Sequence, residues 1–569
     1  MASTEHQLYD TPAAIVLQLF IHSLRGEKER AHSLYAKFTS ATTTDAFDDS
    51  DFDGVYQLAG RDAVTHVQRD EHATASAFRR ANLLAGIWLE SSGGGDDDAV
   101  PLELERVEYL FERAFIDMNV HDPERLSYLR VLEDVGFRKH NAYLSDGPSV
   151  EFSRQHVRVC RQLLRTLQHL ESRGMIASDS EAFTSAEVLR WMLEDDVLDG
   201  SEFVLHHYVI EQLDGIHSTL LLFLSDFHEL NDREDAENYV ARLRAVDAKL
   251  ARADRMIEQQ AEAGVLPPRF ALDKVLQSIE TIVASGVEGC ALSSTFVDKA
   301  SAFAADLVPV VHTLVRTVVL PAYERLAACV RAVADKYATD DAGVWKLPHG
   351  ERFYAHCLRH QTTTTMTPAE IHALGLRRVA AIHDAMRKVI VEQLGEPADT
   401  DPMVFMRRLN DAKTDERLFY ADTPEQREQC LNDFRALVAE SEALVAPLFD
   451  VRPKQPLVIK RVPSHMEPGA PAAFYYEPSL DGKRDGQFFV NLADMGAIQK
   501  YEMRTLTAHE GVPGHHFQLS IAVEQKAMPA FRRSPSGFTA YLEGCTLCAR
   551  PNALSQVARS HSHTLNSRT

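Results

Sequence analysis

Apolar residues recur at three- and four-residue spacing along almost all of this 569-residue chain, and that period restricts it to a mainly α fold. Residues 11–38, 102–117, 151–173, 184–197, 203–229, 234–263, 296–337, 368–394 and 424–448 all carry the pattern. Local start signals support it. Thr367-Pro368-Ala369-Glu370 joins a capping residue, a proline at the first helical position and an acid in the first turn. Asn231-Asp232-Arg233-Glu234-Asp235 reads as another helix start, and the glycine- and aspartate-rich run 91–98 as an exposed loop. One region breaks the period. Between residues 456 and 494, Leu457-Val458-Ile459, an aromatic run at 473–477, a turn at 481–486 and Gln487-Phe488-Phe489-Val490-Asn491 read as strands. These predict a small antiparallel sheet. The expected organisation is two large helical lobes, 1–340 and 341–550, with a polar tail at 551–569 that lacks apolar periodicity and should be disordered.

Composition narrows the partners. The net charge of −23 repels phosphate-rich surfaces, so neither nucleic acid nor an anionic membrane is expected as a partner. Seven scattered cysteines do not form a disulfide framework and fit a reducing compartment, so the expected location is cytoplasmic. No basic leader precedes the apolar stretch 15–24, and no run approaches the roughly 18–20 apolar residues of a membrane span.

Directly after the β-like region comes His509-Glu510-Gly511-Val512-Pro513-Gly514-His515-His516. It is close to the H-E-x-x-H pattern, in which two histidines one turn apart bind zinc and the glutamate is the general base. Here Pro513 occupies the place of the second histidine. On a straight helix His515 would lie about 120° off the face of His509, and His516 roughly 10.5 Å further along the axis. Two zinc ligands need nitrogens within about 3.5 Å of each other, so neither histidine works on a straight helix. Pro513 supplies a break, because it lacks an N–H and its ring clashes with the carbonyl of His509, and Gly514 tolerates the backbone that follows. A bulge absorbing two residues would bring His515 to the face of His509, with Glu510 beside them. His516 ranks second as a ligand and could instead donate to a transition-state oxygen or support a ligand. A carboxylate should complete the set. Glu524 has the context of a solvated helix face, whereas Glu543 lies in the apolar run 538–544, so Glu543 is preferred. A strand beside such a helix can hold a substrate backbone by strand addition, which makes Phe488, Phe489, Val490 and Asn491 the candidate edge residues.

The sequence resembles the DUF885 family, zincin-like proteins whose hallmark is H-E-x-x-P-G-H-H followed by Y-x-E-G-W-A-L-Y. The corresponding residues read HEGVPGHHFQ at 509–518 and Tyr541-Leu542-Glu543-Gly544-Cys545-Thr546-Leu547-Cys548. Weaker matches at 208–220, 237–243, 366–376 and 475–492 extend the likeness over roughly 200–545. The resemblance implies a helical, zincin-like metallopeptidase with Zn2+ held by His509, His515 and Glu543, and with Glu510 as base. After Glu543-Gly544 the family's Trp-Ala-Leu-Tyr becomes Cys-Thr-Leu-Cys, and the family's further helices are replaced by the polar tail, so the chain is expected to be C-terminally truncated.

Other candidates are weaker. Cys545 and Cys548 form a single C-x-x-C, read as incidental, and His206-His207 and Asp195-Asp196 read as structural groups on helical stretches. No phosphate-binding loop, dinucleotide fingerprint or nucleophile elbow is present. The expected function is zinc-dependent hydrolysis of short peptides. The alternative is a non-catalytic helical protein, either an impaired pseudoenzyme or a binding scaffold.

Overall fold

A computed structural model describes residues 107–133, 138–463, 466–467, 470–534 and 537–546. The stretch 11–38, the loop at 91–98, the start of 102–117, Cys548 and the tail lie outside the described residues. The fold is mainly α, with one three-stranded sheet among the described residues. Two compact units divide it. The first takes the described residues to 342 together with Ser479–Lys483 and Lys526–Ser534; the second takes the remainder.

The first unit contains α1 (Val107–Asn119), α2 (Pro123–Leu129), α3 (Val150–Ser172), α4 (Glu181–Glu202), α5 (Ile216–Leu222), α6 (Arg233–Glu262), α7 (Arg269–Ala284), α8 (Ala291–Ala304), α9 (Val308–Leu314) and α10 (Leu320–Tyr337). Caps fix several starts: Ser149 accepts from Phe152 N at 3.1 Å, and Asp232 from Asp235 N at 3.0 Å. At the centre of this unit stands Arg242 of α6, fully buried. Its guanidinium donates to Tyr143 O at 2.9 Å, to Ser127 Oγ at 2.7 Å and to His228 Nδ1 at 2.7 Å. One side chain thus ties buried acceptors from α2 and from the irregular segments around it to α6. Two later stretches complete the unit. Asp481 pairs with Arg130 at 2.8 Å, and Phe531 sets its ring edge-on to Phe111 at 5.8 Å.

Two expectations fail here. The continuous helix at 203–229 is broken: residues 203–215 turn irregularly, and α5 then leads into a short π-helical turn, Phe223–Phe227. The reason lies far along the chain. Buried Gln260 of α6 donates to Leu205 O at 2.9 Å and His207 O at 2.6 Å and accepts from Val209 N at 3.3 Å, so this backbone is satisfied without being helical. His206 and His207 therefore lie in the turn and not on a helix. Second, Ala291–Tyr337 forms one long helical run that is long and apolar enough, by length and composition, to cross a membrane. Isolated polar residues hid this in the sequence. Here its buried positions, including Val311, Val315, Val319, Leu326 and Val330, serve packing within the unit, where α10 lies against α6 and α7.

The second unit holds α11 (Gly350–Thr362), α12 (Pro368–Glu392), α13 (Pro402–Asp411), α14 (Pro424–Val445), the sheet, α15 (Met503–Glu510) and α16 (His515–Glu524). Thr367 and Glu370 form a reciprocal capping box on α12. The strands β1 (Leu457–Arg461), β2 (Ala473–Tyr476) and β3 (Gly486–Val490) run in the order β1-β3-β2. β2 and β3 are antiparallel, with Phe474 opposite Phe489, but β1 is parallel to β3, with Ile459 opposite Phe488. The sheet is therefore mixed, not antiparallel. The turn at 481–486 dictates a reversal between β2 and β3, whereas the long connection after β1 permits either direction. α14 packs on β1 and α15, and Phe434 meets Phe488 edge-on at 5.3 Å.

Candidate metal centre

The motif is placed by a full helix break. α15 ends at Glu510, residues 511–514 leave the helical path, and α16 begins at His515. This differs from the expected two-residue bulge. Gly511 N still donates to Thr507 O at 2.9 Å, and Gly511 O accepts from Phe517 N at 3.3 Å, so the break stays hydrogen-bonded on both sides. Gly514 is required by contact: a Cβ there would stand 1.9 Å from the carbonyl oxygen of His509. Pro513 follows a cis peptide bond.

The break brings the two imidazoles together. The rings of His509 and His515 lie 4.7 Å apart at 67°. Glu543 sits on the helical turns at 539–546, which are tied to α16 by Gln518 Nε2 donating to Tyr541 O at 3.0 Å. Its carboxylate reaches His509 Nε2 at 3.4 Å and His515 Nε2 at 3.5 Å. All three donor atoms lie within 4.8 Å of one another. Donors about 2.0–2.2 Å from a shared zinc-sized ion would be spaced about 3.3–3.6 Å apart, so the set fits a divalent metal. The apolar burial expected for Glu543 is not what holds it, since its side chain is 47% exposed. Glu524 is elsewhere, accepting from Lys454 N at 2.7 Å and Gln455 N at 3.2 Å.

Around this cluster lies a cavity of about 400 Å³ lined by Ala473, Phe474, Tyr475, Glu477, His509, Glu510, His515, Leu519, Leu542 and Glu543. Glu510, buried at the end of α15, faces it beside the two histidines. His516 does not join the cluster. It is buried, its Nδ1 lies 3.1 Å from both Tyr475 Oη and Ser520 Oγ, and burial pushes its pKa down to about 4. A neutral ring with Nδ1 facing two hydroxyls acts as an acceptor there.

Tyr475 is the residue that the sequence reading passed over. Its ring lies nearly parallel to His515, 6.3 Å between centroids and 13° between planes, while its hydroxyl is held by His516. Burial raises its pKa, so the phenol stays protonated. The signal was available: alternation along Ala473, Tyr475 and Glu477 puts these on one face, while Phe474 and Tyr476 pack on Phe489. The candidate edge residues need correcting. Phe488, Phe489 and Val490 lie in the central strand, buried, with partners on both sides, and Asn491 Nδ2 donates to Glu467 O and Ala470 O. A central strand cannot accept another; the edge on the cavity is β2.

Among solved structures, the chain is similar to a "putative lipoprotein from Colwellia psychrerythraea", with a TM-score of 0.70 and 21% identity over 80% of this chain and 79% of that one. That likeness concerns the fold. No curated protein matches the chain. A family model described as "Bacterial protein of unknown function (DUF885)" matches residues 128–549, and the chain belongs to that family.

Proposed function

We propose that this chain is a zinc-dependent hydrolase of short peptides. The observation carrying this reading is the convergence of His509 Nε2, His515 Nε2 and the Glu543 carboxylate on one cavity with the buried carboxyl of Glu510. Three protein ligands leave a position open for water or substrate, as catalytic zinc sites do. When bound, zinc supplies Lewis acidity toward the scissile carbonyl and lowers the pKa of water toward neutrality. Glu510 then takes the proton of the attacking water and returns it to the leaving amine. β2 pairs only with β3 among the described residues, so its outer edge can take a substrate backbone as an added strand. The cavity of about 400 Å³ has room for a few residues and not for a folded chain. No disulfide joins the six described cysteines, which is in keeping with a reducing compartment such as the cytoplasm.

The test is metal content followed by turnover, on chain purified without chelators. We expect a zinc equivalent that is lost in His509→Ala, and peptide-library hydrolysis that stops on chelation and resumes with zinc. Glu510→Gln should retain the metal and lose turnover. A chain that holds zinc through His509 yet cleaves no peptide is a binding protein and not a hydrolase.

A further inference from the structure

A second group of donors stands in the first unit, on α3 and α4, which pack against each other. His156 and Cys160 are four residues apart on α3 and so share one face. Asp196 faces them from α4. The helices approach closely because Gly200, one turn from Asp196, lies against Val157: a Cβ there would stand 2.5 Å from Val157 Cγ2. His156 Nε2 lies 3.1 Å from Asp196 Oδ2, Cys160 Sγ lies 3.5 Å from His156 Nε2, and Cys160 Sγ lies 3.8 Å from Asp196 Oδ2.

These distances describe a triangle and not a relay. In a nucleophilic triad the carboxylate holds Nδ1 of the histidine while Nε2 faces the nucleophile. Here the thiol and the carboxylate both converge on the same nitrogen, Nε2. One ring N–H cannot serve both. A tetrahedral ion with metal–nitrogen and metal–oxygen bonds of about 2.0–2.1 Å and a metal–sulfur bond of about 2.3 Å would space its ligands about 3.3–3.6 Å apart. The three observed edges bracket that range.

We propose that His156, Cys160 and Asp196 form a second metal site, one that binds a zinc-like divalent transition metal and ties α3 to α4. Thiolate with imidazole selects zinc and its neighbours over magnesium or calcium. Cys160 is fully buried and gives the site its floor, while the side chains of His156 and Asp196 are about one-third exposed, 35% and 34%, and leave an outward position for water. The site is independent of the hydrolase reading, since it shares no residue with it.

Cobalt titration of the full reduced chain tests the proposal. A thiolate ligand gives Co2+ an intense charge-transfer absorption, and the His509–His515–Glu543 cluster contains no sulfur to produce one. The band should appear in the wild-type chain, persist in the Cys545→Ser/Cys548→Ser double variant, and persist in His509→Ala, where it should saturate at a single equivalent. It should vanish in Cys160→Ser, and zinc should displace it. Asp196→Asn, at a partly exposed position, should weaken Co2+ binding on the order of a hundredfold. A wild-type chain without the band, a band that survives Cys160→Ser, or unchanged affinity in Asp196→Asn overturns the proposal.

Discussion

The donors around His509 meet because a helix is interrupted; those around His156 meet because two helices are not. In the first case four residues leave the helical path between Glu510 and His515, and the ligands are six apart in sequence. In the second, His156 and Cys160 need only one regular turn, and α4 supplies Asp196 by packing. Each arrangement also depends on a glycine, but in a different way. Gly514 avoids a backbone carbonyl, whereas Gly200 avoids the methyl of a valine. A site built on a break announces itself in sequence, because the break needs unusual residues close together. A site built on packing leaves almost no local trace.

The contrast can be broken at four points. The largest effect is expected for Glu510→Gln: turnover should fall about a thousandfold, roughly 4 kcal/mol of transition-state stabilisation, with metal content unchanged by elemental analysis. Metal lost along with activity would instead mean that Glu510 holds the site together. Gly514→Ala comes next. Its Cβ meets backbone that cannot step aside, so denaturant unfolding should show about 3 kcal/mol of destabilisation, with loss of the metal equivalent assigned to His509. Tyr475→Phe removes the hydroxyl that His516 holds, and with it the restraint on the ring beside His515; zinc affinity should drop about tenfold in a competition titration. Smallest is Gly200→Ala. Its Cβ meets one side-chain methyl and not backbone, so chemical denaturation should report only about 1 kcal/mol. An effect there as large as that of Gly514→Ala would show that α3 and α4 are as intolerant as the broken helix.

Local chemistry explains which parts were legible. The capping box at Thr367, the cap at Asp232 and the aromatic strands are written in neighbouring residues, and each was read correctly from them. Residues 203–215 were misread as helix because their hydrogen bonds come from Gln260, which no local window includes. The direction of β1 and the central place of β3 also escaped, since strand order depends on where a long connection returns. At the site, the types and spacing of His509, Glu510 and His515 were informative. The role of His516 was not, because it depends on a tyrosine from another element. Asp196 reads from sequence as a structural group on a helix, and only the packing of α3 on α4 gives it neighbours that matter.

The first unit is not finished when its last long helix, α10, ends at Tyr337. It still lacks Asp481, the second carboxylate for Arg130, and Phe531, the ring that covers Phe111. At about 5–20 residues per second, the ribosome needs on the order of ten to forty seconds more to deliver residue 534. During that interval Arg130 lacks Asp481 and Phe111 lacks the ring of Phe531, although Glu229 and the other buried core residues around α1 are already made. Synthesis and closure therefore run out of step: Arg130 and Phe111 of the first unit are completed by Asp481 and Phe531, which are made only after α11 to α14 of the second unit.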